Sequence, residues 1–271
     1  MQSIVITGAS SGIGKATAKY FAEQGWKVAA TMRTPEKETE LTEIDNVSLY
    51  QLDVNDPESI AHAAQQIMSD FGTVDALLNN AGYGSYGILE ATPEEKIRRQ
   101  FDVNVIGLLL VTQAFLPGMR ENGAGVIVNV SSVGGKVTFP LGTLYHGSKW
   151  AVEGLSEALS YELATVGIKV KIVEPGGVKT NFGTTSFDLN VEGSPKAYGP
   201  LVEKFVAAMQ ASTGDGSSEA RDIAEVIYGA VTDGSDQLRY IAGADAEQLI
   251  GARKQMDDAD FLNFLKQRLG L

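Results

Sequence analysis

An α/β fold, a mainly parallel sheet with helices on both faces, is what this 271-residue sequence predicts. Three observations carry that expectation. Short β-branched runs alternate with segments of helical periodicity along the chain. The first strand runs straight into a glycine-rich turn that opens a helix. With 44% apolar residues, the chain can fill one core of the larger kind. No internal repeat or interdomain linker interrupts it, so residues 1–271 read as one domain.

The elements follow in order. Ser3-Ile4-Val5-Ile6-Thr7 is a strand, and Gly8-Ala9-Ser10-Ser11-Gly12-Ile13-Gly14 is the turn that leads into a helix near 12–24, stopped by Gly25. Strands are expected near 27–31, 47–52, 74–79, 125–131, 168–174 and 237–241. Helices are expected near 57–70, 94–120 as a broken element, 145–165 and 221–232. Residues 183–220 are rich in Gly, Ser, Thr and Pro, with a helix-like patch at Val202–Met209. Such a stretch reads as a substrate lid or, equally by composition, a loose surface insertion. The tail from Asp245 reads as helical, with Phe261, Phe264 and Leu265 on its apolar side, suited to docking or subunit contact.

Composition excludes several classes. The formal charge of −12 opposes nucleic acid or an anionic membrane as partner. The absence of cysteine removes disulfides and thiolate nucleophiles, and two histidines are too few for a histidine-rich metal site. The amino terminus reads as a core strand rather than a cleavable signal, and no stretch reaches about 18 uninterrupted apolar residues. A cytoplasmic enzyme is the expectation.

Two patterns carry chemistry. The strand–glycine turn–helix context, here with G-x-x-x-G-x-G spacing, brings backbone N–H groups and a positive helix end to a pyrophosphate. A plain glycine-rich turn is the alternative. Tyr145 and Lys149, four residues apart on a helix, point the same way. A cation about 5 Å from the phenol contributes about 3 kcal/mol at an effective dielectric near 20, roughly two pKa units. That would suit the phenol to move a proton at an alcohol or carbonyl oxygen. On its own the pair is a weak signal, since both residues are common on helices.

Thr7-Gly8-x-x-x-Gly12-x-Gly14, Asn79-Asn80-Ala81-Gly82, Asn104, Ser132, Tyr145-x-x-x-Lys149 and Pro175-Gly176-x-x-x-Thr180 occur in this order. Together they resemble the short-chain dehydrogenase/reductase family, over about residues 3–182. The resemblance implies a Rossmann-type, doubly wound, seven-stranded sheet. It implies Tyr145 as proton donor or acceptor, Lys149 lowering its pKa and holding the nicotinamide ribose, and Ser132 polarising the substrate carbonyl. Ser132 stands thirteen residues before Tyr145, the family interval, which favours it over its neighbour Ser131. Asn104 would kink its helix and join Lys149 through water in a proton relay. No metal is needed for hydride transfer.

The implied dinucleotide contacts are Gly8, Ser10, Ser11, Gly12, Ile13, Gly14, Arg33, Asp53, Val54, Asn80, Ala81, Gly82, Pro175, Gly176, Val178 and Thr180, besides Tyr145 and Lys149. Asp53 would meet the adenine amino group and Thr180 the carboxamide. After the second strand the sequence reads Thr31-Met32-Arg33, with no carboxylate until Glu36. An arginine there suits a ribose 2′-phosphate, so NADP(H) is expected, with Ser10 as a further partner. A solvated loop arginine is the alternative. Asn79 is expected to tie strands together, and His146, turned about 100° from the phenol, to pack. Tyr83, Tyr86, Phe139 and Phe182 are candidates to line a substrate pocket or ordinary core.

The resulting expectation is an NADP(H)-dependent carbonyl reductase or alcohol dehydrogenase acting on a small molecule, forming a homodimer or homotetramer through helices around 105–116 and 145–165. An NAD-linked dehydrogenase and a non-catalytic dinucleotide sensor are the rival readings.

Overall fold

The alternating pattern produces eleven strands among the described residues, which in this computed structural model are 1–180, 186–212 and 217–271. They are β1 (Ser3–Thr7), β2 (Lys27–Met32), β3 (Val47–Gln51), β4 (Ala76–Asn79), β5 (Gly84–Gly87), β6 (Gly125–Val130), β7 (Ile168–Pro175), β8 (Val178–Lys179), β9 (Phe187–Asn190), β10 (Ser218–Glu219) and β11 (Arg239–Ala242). Seven of them form one sheet in the order β11-β7-β6-β4-β1-β2-β3, every neighbouring pair parallel. The order reverses between β1 and β4, and this is the crevice where ligands bind in such sheets.

The helices are α1 (Gly12–Glu23), α2 (Pro57–Phe71), α3 (Glu94–Phe101), α4 (Gly107–Asn122), α5 (Thr143–Ala164), α6 (Gly199–Ser212), α7 (Ala220–Thr232), α8 (Ala244–Gln255) and α9 (Asp258–Arg268). One face of the sheet is covered by α1 and α7, whose Phe21, Ile223 and Ile227 pack on Ile4, Ile6 and Val28. The other face packs Ile60, Ile67, Val111, Phe115 and Leu163 from α2, α4 and α5 on Val5, Leu77 and Ile127. Both faces are apolar because both are covered. Local chemistry sets the ends: Asp56 caps α2 by accepting the Glu58 and Ser59 N–H groups, with Pro57 at its first position.

The expected broken helix is three pieces. Between α3 and α4, residues Asp102–Ile106 make a π-turn, and Gly107 lets α4 start against Val54, where a Cβ would collide with the Val54 carbonyl at 2.6 Å. The residues from 186 on are more ordered than their composition suggests. Parallel β9 pairs with β5, and α6 is longer at both ends than the helix-like patch. Tail residues Phe261 and Leu265 dock within the chain, on Val133 and Val137 behind Ser132. Pro175, expected just past its strand, is the last residue of β7.

Candidate active site

The carboxyl ends of β1 and β4 are locked together first. Thr7 Oγ1 accepts the N–H groups of Asn80 (2.9 Å) and Ala81 (3.1 Å), while Asn80 Nδ2 donates to the carbonyls of Thr7 (2.9 Å) and Gly8 (3.2 Å). The Asn80 side-chain amide therefore ties the strand ends together. Asn79 bridges Thr112 and Asn129 across the sheet, at 2.9 Å each.

The glycine turn fits a pyrophosphate. Gly8 and Gly12 have φ of 68° and 55°, in the left-handed region. Gly14 has no room for a Cβ, which would strike the Gly8 carbonyl and come within 2.5 Å of Asn80 Nδ2. Within α1 the first backbone bond is Lys15 N–H to Ser11 O at 3.2 Å, so the N–H groups of Gly12, Ile13 and Gly14 have no acceptor within the helix. Ser11 makes no side-chain cap, and the first turn holds no acidic residue. An anion is the partner these donors lack. Thr180 lies over the turn, its Cβ 3.3 Å from where Gly12 would carry one.

Beyond β2, Arg33 is exposed and its guanidinium has no ion-pair partner among the described residues. Two of the nearby carboxylates are committed: Glu38 pairs with Lys15 (2.9 Å) and accepts the N–H groups of Glu40 and Leu41, and Glu40 pairs with Lys15 and Lys19. Ser10 is exposed beside this loop. Asp53 accepts the Asn55 N–H at 3.0 Å, and Val54 packs on Gly107. After β7, Gly176 N–H bonds Ala242 O at 2.9 Å, and Asp245 Oδ2 accepts the Gly177 N–H at 2.7 Å. Asp245 packs so closely on Gly176 that a side chain there would collide with its carboxylate. Sequence reading missed Asp245, since an acidic residue at a helix start has an ordinary alternative role there.

The residues expected to do chemistry do come together. Ser132 follows β6, and its hydroxyl accepts the Gly134 N–H at 3.0 Å and hydrogen-bonds the Tyr145 phenol. Ser131 faces away, its buried Oγ beside Gly135 and Glu153. On α5, Lys149 is 7% exposed; Nζ donates to Val130 O at 2.9 Å and lies 5.9 Å from the Tyr145 ring centre. Asn104 sits in the π-turn: Oδ1 accepts the Tyr83 N–H (2.8 Å), and Nδ2 donates to Tyr83 O (2.9 Å) and Ser148 Oγ (3.0 Å). Ser148 in turn donates to the Tyr145 carbonyl at 2.7 Å. Asn104 thus positions the Tyr145 turn through Ser148, while Gly82 lies between its Oδ1 and Lys149 Nζ.

Electrostatics corrects one expectation. Burial raises the Tyr145 phenol above its ordinary value, and the Ser132 bond only partly opposes this. Lys149 is not among the groups that move the phenol, and burial pushes its own ammonium down to about 8, with Glu153 acting against the shift. His146 is a clamp. Its Nε2 accepts the Phe139 N–H (2.9 Å), which requires a proton on Nδ1, and that nitrogen donates to Gly134 O at 3.0 Å. Burial lowers its pKa and keeps it neutral.

Tyr86 is the aromatic that meets the site, 5.4 Å from Tyr145 between ring centres, with Phe187 at 5.0 Å and Phe205 at 6.0 Å on it. Tyr83 points elsewhere: its hydroxyl donates to Asp188 of β9 at 2.8 Å, and Asp188 also pairs with Lys96 at 3.0 Å. Phe139 packs on His146. Phe182 and parts of the expected lid, 183–185 and 213–216, lie outside the described residues.

The model of the short chain dehydrogenase family matches residues 2–189. The chain belongs to that family and is an oxidoreductase of the short-chain dehydrogenase/reductase kind. It is 42% identical to an uncharacterized oxidoreductase of Schizosaccharomyces pombe, over 89% of this chain and 100% of that one. It is 32% identical to human 17-beta-hydroxysteroid dehydrogenase type 1, over 97% of this chain and 83% of that one. A short-chain dehydrogenase from Streptomyces avermitilis has the same fold, with a TM-score of 0.86 and 35% identity over 98% of this chain and 96% of that one. More distant solved relatives carry different dinucleotides. A Thermococcus sibiricus alcohol dehydrogenase holds 5-hydroxy-NADP (26% identity, TM-score 0.74, 90% of this chain and 97% of that one). A Burkholderia phymatum member holds NAD (25%, TM-score 0.79, 93% of this chain and 92% of that one).

Proposed function

We propose that this chain interconverts a ketone or aldehyde and its alcohol, using NADP(H), with Tyr145 as acid and base. The observation that carries the reading is the hydrogen bond between Ser132 and Tyr145, which turns two hydroxyl groups toward one place. A carbonyl oxygen there accepts from both, and both bonds strengthen as negative charge develops on it. A bound reduced nicotinamide supplies the hydride. Burial keeps the phenol protonated at neutral pH, so Tyr145 enters reduction with its proton in place. The Lys149 ammonium, fixed by Val130 O, is placed to hold ribose hydroxyls. In oxidation Tyr145 takes the proton back.

NADP(H) over NAD(H) rests on Arg33, exposed and unpaired among the described residues, where Glu38 and Glu40 are already matched by lysines. Exposed Ile106, Trp150 and Tyr161, along the π-turn and α5, support assembly with another copy of the chain. A carbonyl panel assayed with NADPH and NADH side by side tests the function. Turnover faster with NADPH supports it; dinucleotide binding without turnover across the panel would make the protein a sensor.

A further inference from the structure

Around Glu153, three buried oxygens have no hydrogen-bond partner among the described residues: Ser131 Oγ, Glu153 Oε1 and Glu174 Oε1. Glu153 stands one turn after Lys149 on α5, and Glu174 is the penultimate residue of β7; they are 4% and 1% exposed. Their carboxyl groups converge on one atom, Arg239 Nε. Gly135 makes the closeness possible, since a Cβ there would sit 2.6 Å from Ser131 Oγ, 3.0 Å from Glu153 Cγ and 3.1 Å from the Lys149 carbonyl.

The cations around the pair do not balance two buried charges. Arg239 Nε of β11 reaches Glu153 at 2.8 Å but Glu174 only at 3.6 Å, and its NH2 group is shared with Glu157 at 2.6 Å. Lys136 stands 3.8 Å from Glu153. With both carboxyl groups ionised, Glu153 Oε1 and Glu174 Oε1 have no hydrogen-bond donor among the described residues, a costly state in a dry interior. One proton between them supplies the missing hydrogen bond.

We propose that Glu153 and Glu174 hold one proton between them, and that this pair is a positioning device that fixes the charge carried by Lys149. Glu174 carries the proton, and among the described residues the Glu153 charge is what favours the Lys149 ammonium. Burial and the Glu153 charge push Glu174 up to about 7. Neither glutamate touches substrate. The reach to catalysis rests on the reading of Lys149 given above; the shared proton does not.

The test uses the whole chain and the variants Glu174→Gln and Glu153→Gln. A carboxyl whose folded pKa is above its unfolded value stabilises below the unfolded value, and that stability is lost as pH rises through the folded one. Glutamine at 174 cannot ionise. The melting temperature of Glu174→Gln minus that of the wild type is therefore expected to grow by roughly 5 °C or more between pH 5.5 and 8.5; a constant difference overturns the shared proton. Should that variant fail to fold, carboxyl 13C spectra of the wild type decide the matter. A glutamate titrating between about pH 6 and 8 is expected, and all of them titrating below about pH 5.5 overturns it.

Glu153→Gln removes the anion beside Lys149. The alkaline limb of NADPH-dependent reduction should then move to lower pH, costing several-fold more activity at pH 8 than at pH 6.5. The ε-carbon resonance missing from Lys149→Met spectra should show the same downward move without any turnover. An unmoved limb and resonance overturn the link to Lys149. Absence of any carbonyl reduction would sink the functional reading alone, leaving the melting and spectral results to decide the pair.

Discussion

Lys149 Nζ donates to the backbone carbonyl of Val130 at 2.9 Å, which binds the α5 lysine to the strand end that carries Ser132 two residues later. One side-chain bond thus fixes the spacing between the helix that holds Tyr145 and the loop that holds its partner hydroxyl. If those two hydroxyls grip one oxygen, Tyr145→Phe should cut kcat by about 10³-fold and leave the NADPH dissociation constant within about twofold. Ser132→Ala should cost about 10²-fold. The double variant should be scarcely worse than Tyr145→Phe, because residues acting as a unit are not additive. Multiplicative losses would show that the two act on different steps.

In the proposed reaction Lys149 sets the alkaline limit. Its pKa, pushed down from 10.5 to about 8 by burial, leaves the ammonium charged below about pH 8 and neutral above. Reduction should be flat from about pH 6.5 to 7.5 and fall above 8. The sign for stability is opposite. A base held below its unfolded pKa costs the fold while charged, by roughly 3 kcal/mol over this shift, and the cost disappears as pH rises from about 8 to 10.5. Lys149→Met should therefore be inactive yet melt no lower than the wild type at pH 7. A melting point several degrees lower would show that the Val130 bond outweighs the buried charge.

His146 holds the Gly134 and Phe139 ends of the Ser132 loop from one ring. Removing it in His146→Ala frees two buried backbone groups and opens a cavity, a loss of about 3 kcal/mol. Scanning calorimetry should record a fall in melting temperature of roughly 6–12 °C. Since burial holds the imidazole below 6.5, its stabilisation is complete above that pH and lost as pH falls through it. The gap between variant and wild type should therefore narrow in acid; a gap that widens would mean the ring is charged in the fold.

The sheet and its main helices were legible because their signals are local: β-branched runs, the glycine turn, and Asp56-Pro57 opening α2. The Tyr145, Ser132 and Lys149 cluster was legible through its spacing together with the resemblance to the family, since the Tyr145–Lys149 pair alone is a weak signal. What sequence could not show was long-range. That Asn80 uses its amide to bind Thr7 and Gly8 across β1 and β4 is one such contact. Four residues on α5 do not say how deeply Lys149 is buried, and burial reversed the direction of the Tyr145 shift. Asp188 of β9 depends on Tyr83 and Lys96, about a hundred residues away, so the order of the 186–212 segment was invisible in its composition.

Gly14 tests the cradle. An added methyl would strike the Gly8 carbonyl and the Asn80 amide that joins β1 to β4. Gly14→Ala should weaken dinucleotide binding at least about tenfold and lower stability by about 1–3 kcal/mol, the usual range for overpacking. Fluorescence titration with NADPH beside thermal melting would separate the two effects. Unchanged binding would mean the pyrophosphate does not rest on this turn.

Arg33 tests the choice of dinucleotide. Its guanidinium is exposed and unpaired among the described residues, while Glu38 and Glu40 are neutralised by Lys15 and Lys19. A charge-assisted bond to a 2′-phosphate contributes about 1.5–3 kcal/mol, roughly a 10- to 100-fold effect. Arg33→Ala should raise KM for NADPH by that factor and change KM for NADH less than about twofold. Lys15→Ala should act indirectly, since unpairing Glu38 leaves a carboxylate free to repel the phosphate and to accept from a 2′-hydroxyl. It should weaken NADPH while favouring NADH. If steady-state kinetics show both variants altering the two cofactors equally, neither residue reads the 2′ position.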